Sequence, residues 1–273
     1  MSIRTILVHA DPGEGCERRV RLAAKLADLF GATITGLGAE AFNPILVSGD
    51  AGVDGAMIEV IRERVAVDLP AAQKHFAALT AGRAGTRWVA AADYPDKVLA
   101  LYARGADLVV ASRPARGESA TFCAAPADLI MEAGGPVLLA ADGGAAFRGD
   151  RVVVGWKDVR ESRRAVSDSL PFLVRAKAVS LVAVSGEANA QADHAGLRDV
   201  ARRLAAHGVE AEIEVAPKGR ATVAEALEAA ANRRGADLIV VGAYAHSRLR
   251  EWALGGVTED LIAASSKFVL FSH

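Results

Sequence analysis

The 273-residue sequence has few cysteines and almost no net charge. Its two cysteines, Cys16 and Cys123, provide neither a disulfide framework nor a metal-binding cysteine pair, so we expect reduced thiols. Lys and Arg number 32 against 33 Asp and Glu. The formal charge of −1 argues against a nucleic-acid partner, because proteins that bind nucleic acid carry clustered positive charge.

Long apolar runs are also missing. No segment reaches the ~18 apolar residues that a membrane span requires, so we expect no membrane partner. The first 15 residues turn polar before a secretory apolar core could form, and we therefore expect a cytoplasmic protein.

Familiar catalytic signatures are not found. The sequence contains no Gly-x-Ser-x-Gly, no Gly-Lys-Ser/Thr and no Gly-x-Gly-x-x-Gly motif, and its six histidines have no metal-ligand spacing. We therefore predict no catalytic residue and no metal site, and at most slow hydrolysis of a bound ligand as enzyme activity.

What the sequence does contain is an internal repeat. The segment Arg104–Ser112 aligns with Arg234–Gly242 at an offset of 130 residues, with six identical residues in nine. A shorter match, 128–130 with 260–262, follows at an offset of 132. Because a repeat at a nearly fixed offset is typical of duplicated units, we predict two copies of one fold.

Within each half, short apolar runs alternate with amphipathic stretches. Residues 221–234 have the apolar spacing of a helix, and Gly235 provides its stop. Such alternation predicts the doubly wound α/β class, with parallel strands joined by right-handed crossovers. In the second half we predict strands at 152–156, 178–185, 210–215, 237–242 and 267–272, and helices at 160–174, 190–207, 221–234 and 256–265.

A Gly-rich, weakly patterned stretch at 141–150 separates the two halves. Such a composition is typical of a linker. We therefore predict domains at 1–140 and 151–273.

Ligands of doubly wound domains bind beyond the carboxyl ends of the strands. In the second half, the predicted fourth strand ends at Gly242, and the pair Gly255-Gly256 precedes a helix. Glycines there let backbone N–H groups approach phosphate oxygens at a helix amino terminus, and His246 and Arg248 could add positive charge. The spacing leaves open the alternative that the glycines serve turns and the charged side chains are solvated.

These residues resemble the nucleotide-binding loop of the universal stress protein family, which has Gly, two residues, Gly, nine residues, Gly and then Ser or Thr. Gly242 and Gly255 match, whereas Ala245 stands at the second Gly position and Gly256 at the hydroxyl position. Residues 153–162 are also similar to the family's first strand and loop. The resemblance implies a five-stranded parallel sheet per half, ordered 3-2-1-4-5 with helices on both faces. It further implies an intramolecular pseudo-dimer of the halves through their last strands, with a homodimer of chains as a further expectation.

The resemblance implies an adenine nucleotide, such as ATP with Mg²⁺, in the second half only. Thr258 could replace the missing hydroxyl, and Lys157 and Asp158 lie where family members often hold the nucleoside with an acidic residue. The resulting nucleotide-binding candidates are Gly242, Ala245, His246, Arg248, Gly255, Gly256, Val257, Thr258, Lys157, Asp158 and Val184, the last of these near the adenine.

In the first half the corresponding loop, 112–126, is two residues shorter, has lost the Gly spacing and contains two prolines. Since proline removes a backbone donor, we expect no nucleotide there, and we expect Asp11 to cap the loop that opens the first helix. Cys16 and Cys123 would lie over one edge of the sheet. They form either a redox-responsive thiol pair or two ordinary buried cysteines.

Two functions therefore remain from the sequence. One is a tandem stress-response factor that binds ATP or a related adenine nucleotide in its second half. The other is a scaffold or sensor that binds no nucleotide and acts through protein partners or another small ligand, which Ala245, Lys157 and Gly256 support as departures from the family motif.

Overall fold

A computed structural model describes residues 2–13, 15–41, 68–113, 123–142, 146–244 and 256–273. The chain divides into two compact units, Ile3–Ala133 and Gly134–His273, called here the amino-terminal and carboxyl-terminal units.

The amino-terminal unit has four parallel strands in the order β3-β2-β1-β4. In chain order its elements are β1 (Thr5–His9), α1 (Cys16–Phe30), β2 (Thr33–Ala39), α2 (helical residues 68–79), β3 (Thr86–Ala91), α3 (Pro95–Ala103), β4 (Leu108–Ala111) and α4 (Pro126–Glu132).

The carboxyl-terminal unit has six strands in the order β5-β10-β9-β6-β7-β8, of which the last five are parallel to one another. Its elements are β5 (Val137–Leu139), β6 (Arg151–Gly155), α5 (Arg160–Leu173), β7 (Ala178–Ser185), α6 (Ala190–Ala205), β8 (Ala211–Pro217), α7 (Val223–Arg234), β9 (Leu238–Gly242), α8 (Val257–Ala264) and β10 (Phe268–Ser272). The doubly wound α/β prediction is confirmed, and the second half has the predicted strand order.

Helix α7 illustrates why these segments fold as they do. The Thr222 side chain accepts from the Glu225 backbone N–H at 3.2 Å, and the Glu225 carboxylate accepts from the Thr222 N–H at 2.8 Å. This reciprocal cap satisfies two donors that the first helical turn leaves without partners. Gly235 ends the helix in the left-handed conformation, with φ of 61°, as the sequence predicted.

The aspartate in each copy of the sequence repeat, Asp107 and Asp237, has the same structural role. Asp107 Oδ2 accepts from the backbone N–H groups of Arg4 and Thr5 at 2.8 and 2.9 Å. Asp237 Oδ2 likewise accepts from the N–H groups of Arg148 and Gly149 at 2.6 and 3.1 Å. In each unit this aspartate therefore anchors the backbone that enters the first strand of the repeat.

The last strand of the first half, β5, lies in the carboxyl-terminal unit, where it pairs antiparallel with β10. The units accordingly divide after Ala133, ahead of the predicted linker at 141–150, of which residues 143–145 lie outside the described residues. The domain bounds 1–140 and 151–273 stay a prediction. The assembly of the two halves as a pseudo-dimer also stays a prediction.

Candidate functional site

A cavity of about 450 Å³ lies at the carboxyl ends of four neighbouring strands of the carboxyl-terminal unit. It extends across β9, β6, β7 and β8, and the starts of α6 and α8 complete its wall. Parallel strands converge there because every crossover helix returns the chain to the same edge of the sheet. Of the predicted nucleotide-binding residues, the structure brings five together in this cavity: Lys157, Val184, Gly242, Val257 and Thr258.

Gly242 is needed for close packing at the end of β9. A Cβ atom on this residue would lie 2.5 Å from the backbone carbon of Glu161 and 2.5 Å from the backbone nitrogen of Ser162. These atoms belong to the first turn of α5 and cannot rotate away as a side chain can. Gly242 thus lets α5 approach the sheet beside the cavity.

We expect Gly242→Ala to lower the free energy of unfolding by about 1–3 kcal/mol, because the added methyl group overlaps backbone atoms. Gly219→Ala is the matched control, since a Cβ atom there meets nothing within 4 Å. Urea denaturation of both variants checks the prediction, and equal stability of the two would contradict it.

Tyr244 holds a strained conformation where β9 leaves the sheet. Its φ of 53° is in the left-handed region, which costs a side-chain-bearing residue about 1–2 kcal/mol. The buried side chain offsets this cost, since its hydroxyl donates to Glu259 Oε1 at 2.7 Å and its ring packs against His273. Tyr244 therefore ties the end of β9 to the first turn of α8.

Thr258 faces the cavity from the start of α8. Its Oγ1 accepts from the backbone N–H of Tyr244 at 3.3 Å, and the residue is buried. A threonine hydroxyl carries one donor in addition to its acceptor sites, so Thr258 can still donate to a ligand oxygen. This supports its predicted role as the replacement for the hydroxyl that Gly256 lacks.

Helix α8 begins at the cavity with a glycine cap. Gly256 is its N-cap, with φ of −95°, and makes no side-chain hydrogen bond to the first turn. The N–H groups of a first turn have no acceptor within their own helix, and the helix dipole makes this end partly positive. Together with Thr258, this turn offers donors to an anionic group.

The opposite end of the cavity is apolar on its floor and charged at its rim. Val182 and Val184 of β7 line the apolar floor. The charged side chains are Lys218, which follows β8, and Asp193 of α6. Lys218 and Asp193 were not predicted from the sequence, because the strand order and the position of α6 bring them to the cavity. The sequence signal that could have indicated this part of the site is the lysine directly after β8.

Lys157 follows β6 and lies between the two ends of the cavity. A short turn fixes its backbone, since its N–H donates to Ser162 Oγ at 3.4 Å and its carbonyl accepts from the Val159 N–H at 2.7 Å. Asp158, by contrast, is exposed, accepts a hydrogen bond from Arg163 and lies outside the cavity lining.

Four of the predicted residues, namely Ala245, His246, Arg248 and Gly255, lie outside the described residues.

The amino-terminal unit has a buried polar network at the corresponding strand ends. Arg19 of α1 donates to Asp11 Oδ2 and to Ser112 Oγ, each at 2.5 Å, and to the carbonyl of His9 at 3.0 Å. Ser112 is the counterpart of Gly242 in the sequence repeat. Asp11 also accepts from the Gly13 N–H at 2.9 Å, which confirms that it caps the loop before α1.

This network perturbs the titration of its members. Burial lowers the pKa of His9 from 6.5 to about 4, although the Asp11 carboxylate 3.3 Å away acts in the opposite direction. Burial alone would raise the pKa of Asp11, but His9 and Arg19 outweigh it and hold that pKa below its usual value. The network is therefore built to keep a carboxylate charged inside the protein.

Cys16 and Cys123 are both buried and form no disulfide bond. Burial raises the pKa of the Cys16 thiol, which disfavours the thiolate that oxidants attack. The redox hypothesis thus gains no support from Cys16. Among the described residues, no group of three or more His, Cys, Asp or Glu side chains could hold a metal ion.

Comparisons with known proteins give one family match and several similar folds. Residues 150–273 match the family model of the universal stress protein family. The crystal structure of a universal stress protein from Archaeoglobus fulgidus DSM 4304 is 16% identical, with a TM-score of 0.75, and the match covers 99% of this chain and 96% of that one. A putative universal stress protein from Pseudomonas aeruginosa UCBPP-PA14 is also 16% identical, with a TM-score of 0.58 over 99% of this chain and 93% of its own.

A universal stress protein solved in complex with cAMP is 26% identical, with a TM-score of 0.39, and covers 45% of this chain and 96% of its own. A sequence search of the curated proteins finds no match. In the part of the chain that the structure describes, no helix is both long and apolar enough to span a membrane. Residues 150–273 are therefore identified as a domain of the universal stress protein family.

Proposed function

We propose that the carboxyl-terminal unit binds an adenine nucleotide, with ATP as the leading candidate. One observation carries the proposal: a single cavity joins a donor-rich helix start on one side to an apolar floor on the other. A nucleotide has the matching polarity, since its phosphates are anionic and its base is flat and largely apolar on its faces.

The phosphate end of the ligand fits the start of α8. The Thr258 hydroxyl and the first-turn N–H groups can donate to phosphate oxygens, and Gly242 keeps side-chain bulk away from the neighbouring strand end. Mg²⁺ would enter with ATP, bound chiefly by the phosphates, as Mg²⁺ commonly is in nucleotide sites.

The base end fits the floor formed by β7. Val182 and Val184 are aliphatic and can pack against the face of an adenine ring, with Leu227 of α7 lining the same cavity. A cavity of about 450 Å³ lies within the range typical of small-molecule sites. The cytoplasmic stress-response role and the pairing of the halves as a pseudo-dimer belong to the same proposal, on the strength of the family match of residues 150–273.

The proposal is tested by calorimetry with ATP, with and without Mg²⁺, on protein purified free of ligand. We expect one nucleotide per chain, because the corresponding strand ends of the amino-terminal unit hold the Arg19 network. Thr258→Val should weaken binding about tenfold, the value of one hydrogen bond to a charged group. Thr86→Val, at an exposed position of β3, is the matched control and should leave binding unchanged.

No binding at millimolar nucleotide would overturn the proposal and favour the scaffold function. Equal effects of Thr258→Val and Thr86→Val would place the phosphates elsewhere. Thermal unfolding of both variants without ligand separates a loss of binding from a loss of stability.

A further inference from the structure

The position of Lys157 across the sheet determines which part of a bound nucleotide it faces. The cavity crosses the strands in the order β9, β6, β7 and β8. Neighbouring strands are about 4.8 Å apart, so the end of β6 lies about 5 Å from that of β9 and equally far from that of β7. Lys157 follows β6 and lies between the phosphate end and the base end.

The sugar is the part of a nucleotide that joins its phosphates to its base. With the phosphates at the start of α8 and the base on Val182 and Val184, the sugar lies over the end of β6. Trp156 and Val159 also line the cavity near this point, and Lys157 is the charged side chain among these lining residues. A lysine ammonium carries three donors and no acceptor, so it favours an anionic group over a hydroxyl that needs its own hydrogen accepted.

The charge of Lys157 is available to such a group. The nearby acidic side chains are engaged elsewhere, since Asp158 accepts from Arg163 and Glu161 from Arg160. Lys157 itself makes no ion pair with any described residue. Its backbone is held by Ser162 and Val159, so the base of the side chain is already positioned before a ligand arrives.

We propose that this cavity selects nucleotides that carry an additional phosphate on the 2′ or 3′ oxygen of the ribose, and that Lys157 pairs with that phosphate. The inference rests on the proposed nucleotide function and specifies its ligand class. The same physical distinction operates in dinucleotide-binding folds, where an acidic residue accepts from a free ribose hydroxyl and a basic one accommodates a ribose phosphate.

The test measures by calorimetry the affinities of four ligands for the full chain: AMP, ADP, adenosine 2′,5′-bisphosphate and adenosine 3′,5′-bisphosphate. ADP is the matched ligand, because it has as many phosphates as the bisphosphates but carries both of them in a chain on the 5′ oxygen, the phosphate tail. We expect one bisphosphate to bind about tenfold more tightly than both AMP and ADP, as one charge-assisted hydrogen bond would provide.

Lys157→Gln should abolish this preference, because it should lower the affinity for the bisphosphate about tenfold more than the affinity for AMP. Lys218→Gln, a change at the base end of the cavity, should alter the affinities for AMP and for the bisphosphate by the same factor. Lys267→Gln, before β10 and outside this cavity, should alter neither.

Two results would overturn the inference while leaving nucleotide binding intact. In one, neither bisphosphate binds more tightly than ADP. In the other, Lys157→Gln weakens AMP, ADP and the bisphosphates equally, which would mean that Lys157 contacts the phosphate tail. If none of these ligands nor ATP binds, the proposed function fails and the inference fails with it.

Discussion

Replacing Arg19 by Met is expected to lower the free energy of unfolding of the amino-terminal unit by about 3–5 kcal/mol. The guanidinium is buried and donates to Asp11, Ser112 and the His9 carbonyl. Methionine fills a similar volume but donates nothing, so the Asp11 carboxylate remains buried beside its Gly13 N–H and His9 alone. An uncompensated buried charge is among the most destabilising consequences of a single substitution.

Arg21→Met is the matched control on the same helix. Arg21 pairs with Glu17 at 2.6 Å, but both side chains are at least half exposed. An exposed pair of this kind contributes about 0.5 kcal/mol or less. Urea denaturation followed by circular dichroism compares the two variants, and similar midpoints would contradict the burial argument.

If Arg19→Met fails to fold, the stability of the double variant that also carries Asp11→Asn provides the test. Removing the stranded carboxylate should recover part of the lost stability, since a neutral amide costs less to bury than a charge. No recovery would mean that the loss comes from packing and not from the unpaired charge.

The Arg19 network also explains why two copies of one fold have unequal sites. Gly242 leaves the end of β9 free of side-chain atoms, whereas its counterpart Ser112 accepts a hydrogen bond from Arg19. The prolines and the lost Gly spacing predicted a degenerate loop in the first half, but the sequence did not reveal Arg19. In a run that contains Arg18, Arg19 and Arg21, nothing in the residue types marks the one that is buried.

The strands and helices of the second half were predictable to within two residues, because periodicity and capping signals agree there. Strand β7 occupies 178–185 as expected, and α7 ends at Arg234 before Gly235. The residues that line the cavity were harder to predict from the sequence. Lys218 and Asp193 belong to it through the position of β8 and α6, which depends on strand order and not on any local motif.

The backbone conformation at the end of β9 could likewise not be predicted from the sequence. The family motif directs attention to Ala245, where glycine is usual, but among the described residues other than glycine the one with a left-handed backbone is Tyr244. A tyrosine is an unexpected residue at φ of 53°, because its Cβ atom crowds the following carbonyl oxygen. Its contacts with Glu259 and His273, which are distant from β9 in sequence, help to hold the strained conformation.

The amino-terminal unit is expected to lose stability steeply between pH 6.5 and pH 4, through His9. This histidine is buried, its Nδ1 lies 3.3 Å from Asp11 Oδ2, and Nε2 has no hydrogen-bond partner in the described part of the chain. Burial lowers its pKa from 6.5 to about 4, so in this interval the unfolded chain binds a proton that the folded chain does not. The free energy of unfolding therefore falls with decreasing pH, by about 3 kcal/mol at pH 4.

His9→Gln should remove this contribution, because glutamine does not titrate, and its unfolding midpoint in urea should change less between pH 7 and pH 4.5 than that of the wild type. His207→Gln replaces an exposed histidine of the carboxyl-terminal unit and should retain the full pH dependence of the amino-terminal unit. The comparison uses the change of stability with pH, so any loss of stability that glutamine causes equally at every pH cancels. Parallel pH profiles for the wild type and His9→Gln would mean that His9 already carries its proton in the folded protein, paired with Asp11.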